Sequence, residues 1–167
     1  MKKMLLVSIL ILVMAGAAFA DHPNDKFGIG IMAGYWGGWE KGGGSAHTAL
    51  SLKIPNIPIF WAINLGFDSN YFRMGVSGDY YLAEGVLVSD INLHWFAGLG
   101  AWVNLAFVSD NTYLSLGGRV PIGLSWHVLE IMEIFLDIAP SLGFQVTPDF
   151  HFPSGGWPIE IGIRIWL

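Results

Sequence analysis

The chain has 167 residues, no cysteine, and 13 acidic against 8 basic side chains, for a net charge of −5. The missing cysteine excludes a disulfide scaffold, a thiolate metal centre and a thiol enzyme, and the acidic balance argues against nucleic acid as a partner. Hydrophobic residues make up 53% and charged residues 13%, the latter about half the usual share of a soluble domain.

Residues 1–20 read MKKMLLVSILILVMAGAAFA. Lys2 and Lys3 precede an apolar run, and Ala18-Phe19-Ala20 forms a small-x-small cleavage site before Asp21. That pattern predicts a helical signal peptide, removed on export, with one domain over residues 21–167. With no cysteine to carry a lipid after export, the destinations left are the periplasm, the outer membrane and the medium.

Beyond residue 20 no apolar run reaches the roughly 18 residues of a membrane helix; the hydrophobicity comes in short alternating units. Phe27–Trp36 sets Phe27, Ile29, Ile31, Ala33 and Tyr35 against mostly glycine. Ala46–Ile54 sets Leu50 and Leu52 against His47, Ser51 and Lys53. Ile59–Asp68 and Phe72–Leu82 follow, the second setting Met74, Val76 and Tyr80 against Arg73, Ser77 and Asp79. Ile91–Phe107, Thr112–Trp126 and Met132–Gln145 repeat the pattern, and Trp157–Leu167 alternates isoleucine with Glu160, Gly162, Arg164 and Trp166. This predicts an all-β, eight-stranded, antiparallel up-and-down meander, each strand long enough to cross a bilayer when tilted. The separators carry turn chemistry, among them EGVLVSD (residues 84–90) and TPDFHFPSGG (residues 147–156). Pro121 and Pro140 fall inside the sixth and seventh strands, where each removes a ladder donor and predicts a bulge or gap.

Glycines and charges share one face of these strands. A water-facing surface would have no use for so much glycine, whereas a crowded barrel lumen needs it for interdigitation. The other face is aliphatic in its middle, with aromatics toward strand ends: Tyr35, Trp61, Phe72, Tyr80, Trp95 and Phe107. That is the layout of lipid-facing girdles. The expected structure is a transmembrane β-barrel with both termini on the periplasmic side, and residues 37–45 and 146–156 as its longest outer loops.

The whole of residues 21–167 resembles the small eight-stranded outer-membrane barrels of the OmpA and OmpX transmembrane type. GGRVPIGLSW (residues 117–126) and EIFLDIAPSLGF (residues 133–144) also look like a family of uncharacterised bacterial outer-membrane barrel proteins. The resemblance implies a fold, an outer-membrane location and dealings with membrane lipid and the barrel-assembly machinery, but little about activity. Such barrels usually end in an aromatic residue; here Trp166 is penultimate.

Charges inside a narrow barrel must be paired. The lumen parity holds Arg73, Arg119 and Arg164 with Asp79, Glu133, Asp137 and Glu160, and predicts a structural charge network that plugs the barrel. If Phe107 faces Thr112 across the tight turn at Ser109–Asn111, Arg119 falls opposite Gly100 and Trp102 opposite Gly117, and Asp137 or Glu160 becomes its partner. No catalytic, cofactor or metal site is expected. The histidines are dispersed, and only Ser125 and His127 place a hydroxyl and an imidazole two apart on one strand. The expected role is structural or surface interaction by a monomer, with an extracellular ligand at loops 37–45 and 146–156. Two alternatives are a soluble lipocalin-like carrier, suggested by GYWGGW (residues 34–39), and a narrow channel for small solutes.

Overall fold

The computed structural model describes residues 22–38, 44–68, 71–108 and 111–167. The expected signal peptide and residues 39–43 of the first outer loop lie outside the described residues. Among those described, no helix is long and apolar enough to cross a membrane, and ten strands account for nearly everything. They are β1 (Gly28–Gly38), β2 (Gly44–Lys53), β3 (Phe60–Asp68), β4 (Tyr71–Val88), β5 (Leu93–Val108), β6 (Asn111–Arg119), β7 (Ile122–Leu129), β8 (Met132–Ile138), β9 (Ser141–Thr147) and β10 (His151–Trp166).

These ten segments form eight staves, because two staves are each broken once. β6 and β7 run on from one another across Val120-Pro121, and β8 and β9 across Ala139-Pro140. β5 pairs with both halves of the first broken stave, and β10 with both halves of the second. Every pairing is antiparallel and sequential, and β1 closes the ring by pairing with β2 on one side and β10 on the other. The closing ladder runs from Gly28 opposite Trp166 to Gly38 opposite Gly156. Every stave has a partner stave on both sides, which is the condition for a sheet to sit in hydrocarbon.

The prolines interrupt hydrogen bonding without shifting register. Gly100 faces Arg119 before the first gap and Ala97 faces Ile122 after it, three residues along on both chains. The proline carbonyls remain in use: Gly98 donates to Pro121 at 2.9 Å and Val120 to Pro140 at 2.9 Å. Pro158, on the adjacent β10, accepts from Ala139 at 3.0 Å. Three neighbouring staves thus each lack a donor in the same band of the wall.

Polarity is inverted relative to a soluble barrel. Ile31, in the middle of β1, is 70% exposed, while Arg164 is 2% exposed. The outward side chains of the other strands are likewise apolar, including Leu50, Ile63, Val76, Val103, Leu142 and Ile163. Aromatics sit toward the two ends of this belt, with Tyr35, Phe107 and Trp157 at one end and Tyr80 and Trp126 at the other. Phe72 and Phe107 stack across β4 and β5 at 6.0 Å.

Two expectations about connections are corrected. Residues 84–88 are not a turn: β4 continues to Val88, and the chain reverses through a short 3₁₀ turn at Ser89–Ile91 with Asn92 left-handed at φ 51°. Residues 146–156 are not a long loop either. β9 runs to Thr147 and β10 starts at His151, with a bulge between His151 and Ser154 absorbing the irregular sequence. The prolines and glycines of that stretch suggested a loop, but only residues 148–150 lie between the two strands.

If the belt faces lipid, Ile31→Arg should destabilise the barrel by roughly 2–4 kcal/mol, and Ile31→Ser by much less. Urea midpoints of the protein folded into bilayers measure both.

Candidate functional site

Inside the barrel the charges fall into two layers. The first centres on Arg119 of β6, which is 5% exposed. Its Nη2 donates to Glu160 Oε2 at 2.7 Å. Its Nε lies 3.2 Å from Asp79 Oδ1, and its Nη2 3.8 Å from Asp137 Oδ1. On the far side of Glu160, His47 Nε2 is 2.9 Å from Oε1.

Strand register builds this layer. Across the wall, Asp79 faces Gly100 and Gly100 faces Arg119. Likewise Asp137 faces Glu160, Glu160 faces Gly34 and Gly34 faces His47. A glycine therefore separates Asp79 from Arg119 and Glu160 from His47, and the long side chains meet over it. A Cβ on Gly100 would collide with Asp79 Oδ1, and one on Gly34 would press on His47 and Glu160.

The second layer lies toward the termini. Arg164 Nη1 donates to Glu133 Oε2 at 2.7 Å, and Nη2 donates to Ser51 Oγ at 3.0 Å over Gly30. Glu133 also accepts from Trp166 Nε1 at 3.0 Å and Ser125 Oγ at 2.9 Å. The guanidinium sits over Phe135 and Phe60, 4.6 and 4.8 Å from their ring centres. Upstream of β1, His22 turns into this layer. Its Nδ1 is 2.9 Å from Glu84 Oε2 and its Nε2 3.1 Å from Glu133 Oε1.

The seven residues expected in one network thus divide. Arg119 gathers Asp79, Asp137 and Glu160; Arg164 holds Glu133; Arg73 stands further out, where its Nη2 donates to Ser45 Oγ at 2.9 Å. Sequence reasoning missed His22, His47, Glu84 and Lys53. His47 and Lys53 were on the lumen parity and could have been found. Glu84 could not, because a bulge between Tyr81 and Ala83 shifts the alternation before it. Ser125 is fully buried with its hydroxyl donated to Glu133, and His127 packs between the rings of His22 and His94. Among the described residues, no three of His, Cys, Asp or Glu are arranged to hold a metal ion.

Around these layers the free space is divided. A cavity of about 290 Å³ opens at the end away from the termini, lined by Trp36, Arg73, Trp102, Asn104, Ser115 and Gln145 among others. Below it a space of about 20 Å³ reaches Arg119 and Glu160, and another of about 20 Å³ lies between the two charge layers. Each has room for about one water. A pocket of about 170 Å³ beside His22 and Lys53 completes the series at the termini.

A closed antiparallel ring with charges inside and aliphatic side chains outside defines the class: an eight-stave, up-and-down β-barrel with the polarity of a transmembrane barrel. The solved structure of Neisserial surface protein A shares this fold, with a TM-score of 0.50 at 15% identity over 83% of this chain and 96% of that one. The N-terminal β-barrel domain of Pseudomonas aeruginosa OprF aligns over 84% of this chain and 97% of that domain, at 11% identity and a TM-score of 0.49. No family model and no curated protein matches the chain.

His22 gives the second layer a pH dependence. Burial alone would lower its pKa, but Glu133 and Glu84 outweigh burial and hold it at about 9, above the ordinary 6.5. The folded value is the higher one, so its contribution is complete below pH 6.5 and is lost as pH rises through about 9. The shift corresponds to on the order of 3 kcal/mol. The stability difference between wild type and His22→Gln, read from urea midpoints in detergent micelles, should be largest near about pH 6 and shrink toward about pH 10.

Proposed function

We propose that the protein is an integral outer-membrane barrel with a structural or surface-interaction role, a lumen closed to ions, and no catalytic activity. The apolar belt supports the membrane setting: a lipocalin-like carrier would place its apolar side chains inside, where this barrel has Arg119, Arg164 and their carboxylates. The up-and-down path brings both ends of the barrel chain to one side, as Phe27 and Leu167 exchange backbone hydrogen bonds of 3.2 and 2.8 Å. With that side in the periplasm, the 290 Å³ cavity opens to the exterior. Lipid is the surrounding partner, and closure of the ring by β1 and β10 suits a monomer assembled by the barrel-insertion machinery.

The closed lumen rests on one observation. Two layers of ion pairs cross the barrel, and the spaces next to and between them are about 20 Å³ each, too small for a continuous water column. In planar bilayers the wild-type protein should give negligible conductance. Arg119→Ala leaves three carboxylates facing one another without the guanidinium; it should cost about 3–5 kcal/mol of stability and raise ion leakage. Large, steady single-channel currents from the wild type would place the protein among the channels instead.

A further inference from the structure

The outer wall of the barrel is not evenly covered. Beside the band where Pro121, Pro140 and Pro158 lie in neighbouring staves, two rows of outward side chains run across the sheet. Trp95, Leu124 and Leu136 form one row, and Ile122, Ile138 and Ile159 the other. Between the rows lies a groove of about 390 Å³. It crosses β5, β7, β8 and β10, three strand spacings or roughly 14 Å. Its floor is thin but sealed. Gly123 brings no side chain, and a Cβ there would strike the fully buried ring of Phe96 on the lumen side. Asp137 borders the floor, but its carboxyl group is turned to the lumen, 3.8 Å from Arg119 Nη2. The groove is therefore blind, open to the outside and shut from the charge layers.

What the groove offers a ligand is contact with hydrocarbon. The prolines of the band have no N–H to give, and their carbonyls already accept from Gly98, Val120 and Ala139. The Trp95 indole turns its N–H away, since Nε1 lies over Gly85 of β4, 2.9 Å from where a Cβ would sit. A sugar, a head group or a peptide would leave polar groups unpaired here. A hydrocarbon chain has none, and between two rows it gains contact on three sides instead of one. The volume, about 390 Å³, falls within the range of small-molecule sites, roughly 300–1,000 Å³. The groove is also continuous with the apolar belt, because Ile122, Ile138 and Ile159 are exposed members of it. A chain enters sideways without leaving hydrocarbon.

We propose that this groove seats one hydrocarbon chain of a bilayer lipid and retains it longer than the lipids around the rest of the belt. This rests on the reading that the belt faces lipid, and it is independent of whether the lumen conducts.

The test is lipid retention. The full chain is folded into vesicles of palmitoyl-oleoyl phosphatidylcholine, floated with them, extracted into a mild detergent and weighed by native mass spectrometry. The wild type should keep one phospholipid per barrel. Ile138→Trp and Ile122→Trp, on separate staves, each fill the groove and should cut the retained fraction by about tenfold. Ile63→Trp, on β3 across the barrel, should retain lipid as the wild type does. Phosphatidylglycerol with the same chains should be kept equally, because nothing in the groove reads a head group. Heat-shifted gel mobility checks that the variants are folded. The proposal is overturned if the wild type carries no lipid, if the folded groove variants keep it, if Ile63→Trp loses it as well, or if retention follows the head group. A lipid-free mass of two barrels overturns it too, and assigns the groove to a second copy of this chain. Protein that floats with the vesicles but emerges bare defeats the groove alone; protein that does not float defeats the membrane reading with it.

Discussion

In hydrocarbon, a peptide N–H without a partner costs several kcal/mol, so a strand can lie there only between two other strands. That requirement shapes the whole chain. It accounts for the unbroken order of antiparallel pairings and for the ladder between β1 and β10 that joins the first stave to the last. It also explains how three prolines are tolerated in adjacent staves. Each lacks a donor, but the carbonyls of Pro121, Pro140 and Pro158 accept from Gly98, Val120 and Ala139, and register is kept on both sides of the gaps.

Closure then decides what the interior must be. Side chains that point away from the apolar belt enter the lumen, where the buried charges of the two layers pair with one another. The barrel does this by alternating reach with absence. Asp79 and Arg119 meet over Gly100, Glu160 and His47 over Gly34, and Ser51 and Arg164 over Gly30. The glycines are the interior counterpart of the bulky aliphatic residues outside. A buried ion pair is weak evidence of net stability, since desolvation offsets much of the attraction. Its clearer consequence is specificity: a one-residue slip of register would send Arg119 or Arg164 into the hydrocarbon.

Much of this was legible in the sequence, and the reason is geometric. A period of two assigns each residue to a face without knowledge of the fold. It put Ile31 and Val103 outside and Arg119, Asp137 and Trp166 inside, as the structure has them. The register of β5 on β6 sets Phe107 against Thr112, Arg119 against Gly100 and Trp102 against Gly117, as the sequence pattern predicts. Alternation fails where the chain departs from it. The bulge before Ala83 hid Glu84, and His22 lies upstream of any strand. The division of the charges into two layers was also hidden, because it depends on how far the ladders climb around the ring. Turn-forming residues misled at residues 147–156, where a bulged strand accommodates prolines and glycines within its pairing.

The central claim is that alternate residues of one strand touch lipid and the closed interior, respectively. The absence of cysteine makes it directly measurable, since single cysteines can be introduced without background. Fluorophores placed at Leu50, Val76 and Val103, in bilayers containing brominated acyl chains, should be strongly quenched. Cysteines at Ser51, Ser77 and Ser115, the inward positions, should resist labelling or, once labelled, escape quenching. Equal quenching on both parities, or quenching confined to the serine positions, would contradict the account.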